Sequence, residues 1–292
     1  MTGNFSIMPR KSGYYSQYGE DQIIEEYFTQ LGLNKGFFFE MGAGDGIEYS
    51  NTKLLTDKGW SGLLVEADLG KFKELKKNYS NNKKITLSNE RCSEENSLNE
   101  IFDKHNIKKL DLLSLDIDGI DLTIIKLLNF NKYRSKIIII EYNLFIPIDI
   151  SYEDKNDTGN SSSVLAIKEF MNNNNFKLVN FTFSNLIFID KNIDTNFKEI
   201  ELNEIYEKLN PTRVGFNNNG EILLFDKNGI IKSEYFKLPS QKKFIMYQPM
   251  PKFLRKKNNH HGQRFLKNFY SHVVFLFNRP FLFFKYLFEK FK

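Results

Sequence analysis

Residues 36–46, GFFFEMGAGDG, decide how this chain is read. An apolar run, Phe37-Phe38-Phe39, meets an acid, Glu40, and then three glycines, Gly42, Gly44 and Gly46, at alternate positions. A short apolar run that stops at glycines reads as a buried strand entering a tight turn. Glycine there lets the backbone approach a ligand closely and take conformations other residues avoid. The bland alternative is an ordinary strand-to-helix turn. The segments on either side must decide between the two.

Outward from this turn, strands and helices alternate. Upstream, residues 19–31 form an amphipathic helix with Ile23, Ile24, Tyr27 and Leu31 on one face. Downstream, strands are expected at 61–68, 83–89, 110–118 and 136–143. Between them come helices at 51–58, with Ser50 as N-cap, at 71–80, at 97–106, and at 121–130, with Asp121 as N-cap. The runs GLLV, LDLLSL and IIII are continuous rather than alternating, as strands covered on both faces are. This predicts an α/β fold with a doubly wound, mostly parallel, Rossmann-like sheet. A helix over 163–174 and two close strands, 176–183 and 185–191, follow as an antiparallel pair. Residues 201–209 are weakly helical, and 220–236 read as a hairpin turning at Asn228-Gly229.

The length of 292 residues fits one large domain plus an appendage, here 1–245 and a tail over 246–292. With 41% hydrophobic and 26% charged residues, a packed core is expected. A single cysteine, Cys92, excludes an internal disulfide framework and fits a reducing compartment. The N-terminal residues lack an apolar signal core, and no run of 18 apolar residues exists, so a cytoplasmic protein is expected. Charge is unevenly spread. Residues 251–292 hold ten Lys/Arg and one acid, so they carry +9 of a whole-chain +5, and the remaining 250 residues carry −4. The basic residues interleave with aromatics such as Phe269, Phe277 and Phe284, and Pro280 divides the stretch into two short helices. This composition fits an anionic membrane surface, on the inner face for a cytoplasmic chain, and equally fits packing on the protein body or a second subunit.

A second acid, Glu66, ends the next strand, 22 residues after Gly44. At the carboxyl edge of such a sheet it can accept from two ribose hydroxyls. Dinucleotide sites use Gly-x-Gly-x-x-Gly and face an anion. Here the third glycine comes one residue early, and Glu40 and Asp45 are poor neighbours for a pyrophosphate. S-adenosylmethionine (SAM) carries a sulfonium and an ammonium, and acidic surroundings suit it. The candidate cofactor residues are Glu40, Gly42, Ala43, Gly44, Asp45, Gly46, Ser50, Asn51, Thr52, Glu66 and Ala67.

The stretches YSQYGEDQIIEEYF, FFFEMGAGDGIEYSNTKLLTDKGWSGLLVEAD, LDLLSLDIDGID and IIIIEYN, with TGNSSSVLAIKEF and NLIFID, resemble the FkbM-type class I SAM-dependent methyltransferases over about residues 13–190. The resemblance implies a seven-stranded methyltransferase fold and methyl transfer to oxygen, often on a sugar or polyketide. It implies nothing for residues 191–292.

The run LLSLDIDGID, 112–121, ends in three acids. Ligands of open α/β sheets sit at the carboxyl ends of strands, so Asp116 and Asp118, on one side by strand alternation, are the candidate catalytic pair. A carboxylate there can take the proton of an attacking hydroxyl. Alternatively, Asp116, Glu141 and Asn143 can hold Mg²⁺ to acidify that hydroxyl, as some sugar O-methyltransferases of similar fold resemble. The expected acceptor is a sugar hydroxyl of a surface polysaccharide or its lipid-linked precursor. Gln17, Glu20 and Asp21 either fold over the cofactor or are solvated helix-start residues. His105 reads as a surface residue and Cys92 as a small residue beside the adenine side. Nucleic acid is disfavoured as a partner, because DIDG stands where amino-group methyltransferases carry Asp/Asn-Pro-Pro-aromatic. The rival readings are a non-catalytic scaffold of the same fold and an NAD-dependent enzyme.

Overall fold

The computed structural model describes residues 14–209, except 94, 145, 147, 149, 156–158, 160, 194 and 195, the backbone of four short strands between 213 and 238, and eight tail residues between 269 and 284. The chain forms two compact units, Met1–Leu209 and Asn210–Lys292. The boundary therefore falls earlier than the expected residue 245.

In the first unit α1 (Glu20–Gln30) precedes β1 (Phe37–Met41), α2 (Lys53–Asp57), β2 (Ser61–Val65), α3 (Leu69–Asn78), β3 (Ile85–Ser88) and α4 (Leu98–Lys104). Then come β4 (Leu112–Leu115), α5 (Asp121–Lys126), β5 (Ile137–Glu141), α6 (Val164–Asn173), β6 (Phe176–Phe181), β7 (Asn185–Asp190) and α7 (Leu202–Leu209). The seven strands form one sheet in the order β3-β2-β1-β4-β5-β7-β6. The first five are parallel, and β7 inserts antiparallel between β5 and β6.

Pleating explains the unbroken apolar runs. Phe39, Leu63, Leu113, Ile138 and Ile140 point to one face, where Leu98, Ile101 and Phe102 of α4, Leu122 and Ile125 of α5, and Ile167 and Met171 of α6 cover them. Phe38, Leu64, Leu112, Ile137 and Ile139 point to the other, under Ile24, Tyr27 and Phe28 of α1, Leu55 of α2 and Leu75 of α3. Each strand residue is thus buried on one side or the other, and alternation disappears from the sequence.

Several local expectations change. Strand β4 stops at Leu115, so Asp116 and Asp118 lie beyond it in a turn, and Asp118 has a left-handed φ of 59°. Pleat alternation therefore does not relate them. The N-cap of α5 is Ile120, not Asp121, whose carboxylate instead accepts the backbone N–H groups of Ile117 (3.0 Å) and Gly119 (3.1 Å). The N-cap of α2 is Thr52 rather than Ser50, although the Ser50 hydroxyl accepts from the Lys53 N–H at 3.1 Å. Side-chain caps stand at Asp68 for α3, at Ser97 with Glu100 as a capping box for α4, and at Ser163 for α6.

The second unit contains an antiparallel sheet of β8 (Arg213–Phe216), β9 (Ile222–Phe225), β10 (Ile231–Lys232) and β11 (Lys237–Leu238), in the order β11-β10-β9-β8. Pairing of Phe225 with Ile231 is that of the expected hairpin; its Asn228-Gly229 turn lies outside the described residues, as does most of 246–292. Among the described residues no helix is long and apolar enough to cross a membrane.

Candidate active site at the carboxyl edge of the sheet

Because β7 runs against its neighbours, its first residue lies where the parallel strands end. Asn185 pairs with Glu141, while Met41 pairs with Val65 and Leu115. The ends of β1, β2, β4, β5 and the start of β7 thus form one edge, and the polar residues gather there.

The glycine turn is built by two buried carboxylates. Glu40, 4% exposed, accepts from the Ser50 hydroxyl (2.9 Å), the Thr52 hydroxyl (2.6 Å) and the Asn51 N–H (2.8 Å). Burial raises its pKa, and these three donors pull the other way. Glu66 accepts from the N–H groups of Gly44 and Asp68, both at 2.7 Å. Gly42, Gly44 and Gly46 all have left-handed φ, at 81°, 58° and 76°. Their surroundings differ. A Cβ at Gly42 would collide with the Asp116 carbonyl oxygen, since β1 and β4 meet there. A Cβ at Gly44 would meet nothing within 4 Å. The turn is therefore closed toward β4 and open at Gly44, on the side Glu66 supports.

The expected cofactor residues divide accordingly. Glu66, Gly44 and Ala67 border the open side. The Asp45 carboxylate accepts the Ile47 and Glu48 N–H groups, both at 2.8 Å, and so serves its own loop. The Ser50, Asn51 and Thr52 groups face Glu40, and the Asn51 amide also donates to Ser114 on β4 at 3.1 Å. Ala43 is buried at 3% exposure. Asn89, after β3, was not expected; its amide donates to the Glu66 and Ala67 carbonyls at 2.6 and 3.2 Å.

Across the edge, carboxylate oxygens of Asp116, Asp118 and Glu141 all lie within 4.8 Å of one another. Burial, then the Asp118 charge, raises the Asp116 pKa; an Asn185 hydrogen bond opposes this, and Glu20 and Glu40 add to it. Burial, then Asp116 and Asp121, raises Glu141, against a 2.8 Å bond from Ser161. Asp121 is pushed up to about 8 by burial and Asp116, despite its two backbone donors. No cation figures among the main influences on Asp116 or Glu141. The chemistry of this donor set suits either a proton or a cation between the acids. The Asn143 N–H, just after β5, donates to the Ser162 carbonyl at 2.9 Å.

The N-terminal segment closes the edge. Ser16 bridges to Tyr49, and the Asp21 carboxylate accepts from the Tyr15 N–H (2.6 Å) and Ser16 hydroxyl (2.5 Å). Glu20 accepts from the Tyr18 N–H at 2.9 Å and the Thr182 hydroxyl at 2.5 Å. Glu20 and Asp21 are fully buried, which removes the solvated reading for both, while Gln17 is exposed. The Asn185 amide stands 3.5 Å from both Glu20 and Asp116, and its Oδ1 has no hydrogen-bond partner among the described residues. His105 pairs with Glu90 at 3.0 Å, away from the acidic cluster. Cys92 is buried in the core beside α4, and burial pushes its thiol up to about 12.

Strand order 3-2-1-4-5-7-6 with β7 reversed, a glycine turn after β1 and an acid after β2 make this the fold of class I SAM-dependent methyltransferases. Residues 83–178, about a third of the chain, match the family model of the Methyltransferase FkbM domain. No curated protein matches the sequence. Among solved structures, the chain is similar to the METTL16 MTase domain, at 15% identity and TM-score 0.41, over 59% of this chain and 66% of that one, just under two thirds of it. A Staphylococcus aureus protein provisionally assigned as a caffeoyl-CoA O-methyltransferase aligns at 10% identity and TM-score 0.44, over 61% and 85% of the two chains. A SAM-dependent methyltransferase from Clostridium acetobutylicum aligns at 12% identity and TM-score 0.37, over 60% and 92%.

Proposed function

We propose that this chain transfers a methyl group from SAM to a hydroxyl oxygen of a carbohydrate acceptor, on a surface polysaccharide or its lipid-linked precursor. One observation carries the cofactor part: the buried Glu66 carboxylate holds the Gly44 N–H at a point of the glycine turn where a Cβ would meet nothing within 4 Å, and carboxylates gather at the ends of the neighbouring strands. Glu66 and the Gly44–Ala67 rim would hold the nucleoside, and the acidic edge suits the cationic end. When bound, SAM supplies an electrophilic methyl and a neutral thioether leaving group.

Asp116 then acts on the acceptor. Its raised pKa makes the carboxylate a stronger base than an exposed aspartate, able to take the hydroxyl proton at Oδ2 as the new carbon–oxygen bond forms. Burial and the Asp118, Glu20 and Glu40 charges keep that basicity high. Hydroxyl rather than amine as acceptor rests on the DIDG sequence and the family resemblance. The Asp116, Asp118 and Glu141 carboxylates also fit a divalent ion of the Mg²⁺ type, with Asn143 as a further candidate ligand.

Calorimetric titration with SAM, S-adenosylhomocysteine and NAD is the test. Micromolar binding of the first two, and none of NAD, is expected. Binding of neither would favour the scaffold reading. Asp116→Asn should bind SAM as wild type does and lose turnover by about 10²-fold or more. Normal turnover by that variant would remove Asp116 from the chemistry. Chelator sensitivity of turnover separates the metal-assisted route from the metal-free one.

A further inference from the structure

We propose that the C-terminal unit docks the protein on anionic lipid bilayers by inserting Phe269, Phe277 and Phe284 among the headgroups. These three rings are 61%, 80% and 52% exposed. Phenylalanine behaves differently in the first unit, where Phe28, Phe38, Phe39, Phe102, Phe176 and Phe188 are all at 2% or less. Isolated exposed apolar residues are ordinary, but three phenylalanines more than half exposed within 16 positions are a concentration that the described residues of the first unit do not show.

The described tail residues from 269 to 284 are helical. His272 and Phe283 nevertheless stack edge-on with ring centroids 6.2 Å apart. Eleven residues of straight helix would separate them by about 16 Å along the axis. The two rings thus stand closer than one straight helix would hold them. Phe283 also packs on Phe284, which keeps half its surface exposed. Short helical segments with outward rings lie along a bilayer rather than cross it, and no described helix is suited to crossing.

Charge selects the occupant. Ten basic residues against one acid surround these rings in the sequence. A second copy of the same face would bring +9 against +9, whereas an anionic headgroup layer offers the complementary sign and an apolar interior for the rings. This inference is independent of the methyl-transfer reading.

The test is flotation of the full chain with phosphatidylcholine vesicles, with and without phosphatidylglycerol, at low and high salt. Binding only to the anionic vesicles, weakened by salt, is expected. A variant with Phe269→Ser, Phe277→Ser and Phe284→Ser should lose at least about tenfold in partitioning. Its thermal melt and SAM affinity serve as controls of folding, since all three rings are exposed. Equal partitioning of variant and wild type would refute insertion. So would absence of vesicle binding, preferential binding of RNA, or a dimer of the wild type that the variant dissociates.

Discussion

Replacement of Glu66 by Gln tests whether the glycine turn is a cofactor site or only a turn. The Glu66 carboxylate gives one oxygen to the Gly44 N–H and the other to the Asp68 N–H, each at 2.7 Å. A glutamine amide keeps one of these bonds and turns an NH₂ toward the other N–H. A buried donor without its acceptor costs about 1–3 kcal/mol, and the surviving bond loses its charge assistance. A ligand that needs Gly44 in its present position must restore that geometry on binding, so affinity should fall by about 5- to 150-fold, at about 1.4 kcal/mol per tenfold. Loss of a charged partner for ribose hydroxyls adds to this, and a total near 10²-fold is expected. Calorimetry with SAM and S-adenosylhomocysteine measures the affinity, and a urea melt of the same sample measures stability. Lower stability with affinity unchanged within about threefold would refute the reasoning, because Glu66 would then hold the turn without serving a ligand.

Two further predictions follow the same geometry. Gly44→Ala should fold at a cost of about 1 kcal/mol for its left-handed φ, yet bind SAM poorly, since the added methyl enters the open side; Gly42→Ala should fail to fold, as its methyl meets β4, and paired expression and thermal melts with calorimetry distinguish them. Burial opposes ionisation of Glu90, but bonds from Ser88, His105 and Lys104 outweigh it and bring its pKa down to about 2. Its stabilisation is therefore present above the ordinary glutamate range and lost as pH falls from about 4.5 toward 2, so Glu90→Gln should flatten the acid limb of a stability–pH curve measured by denaturant melts.

Much of this architecture was legible because each signal was local. Apolar runs marked the five parallel strands, and the amphipathic stretches between them marked the helices. Glu40, Gly44, Glu66 and Asp116 were legible as polar or glycine residues interrupting apolar runs. What escaped depends on partners that only the folded backbone brings into place. Asp121 looks like a cap until the folded turn offers it the N–H groups of Ile117 and Gly119. The bonds of Ser50, Asn51 and Thr52 to Glu40, ten to twelve residues earlier, also appear only in the fold. Thr182 and Asn185 reach Glu20 across 162 and 165 residues, a distance no spacing pattern reports. A polar residue opening the otherwise apolar strand NLIFID was the available sign.

The reversed strand β7 also sets an order of events during synthesis. Until residues 185–190 leave the ribosome, β5 is the open edge of a partial sheet, and its four fully buried isoleucines have no neighbour on that side. Glu20, made first, must wait for Thr182, made among the last of this unit. Premature chain ends before residue 190 should therefore yield sticky, partner-seeking fragments rather than smaller versions of the enzyme.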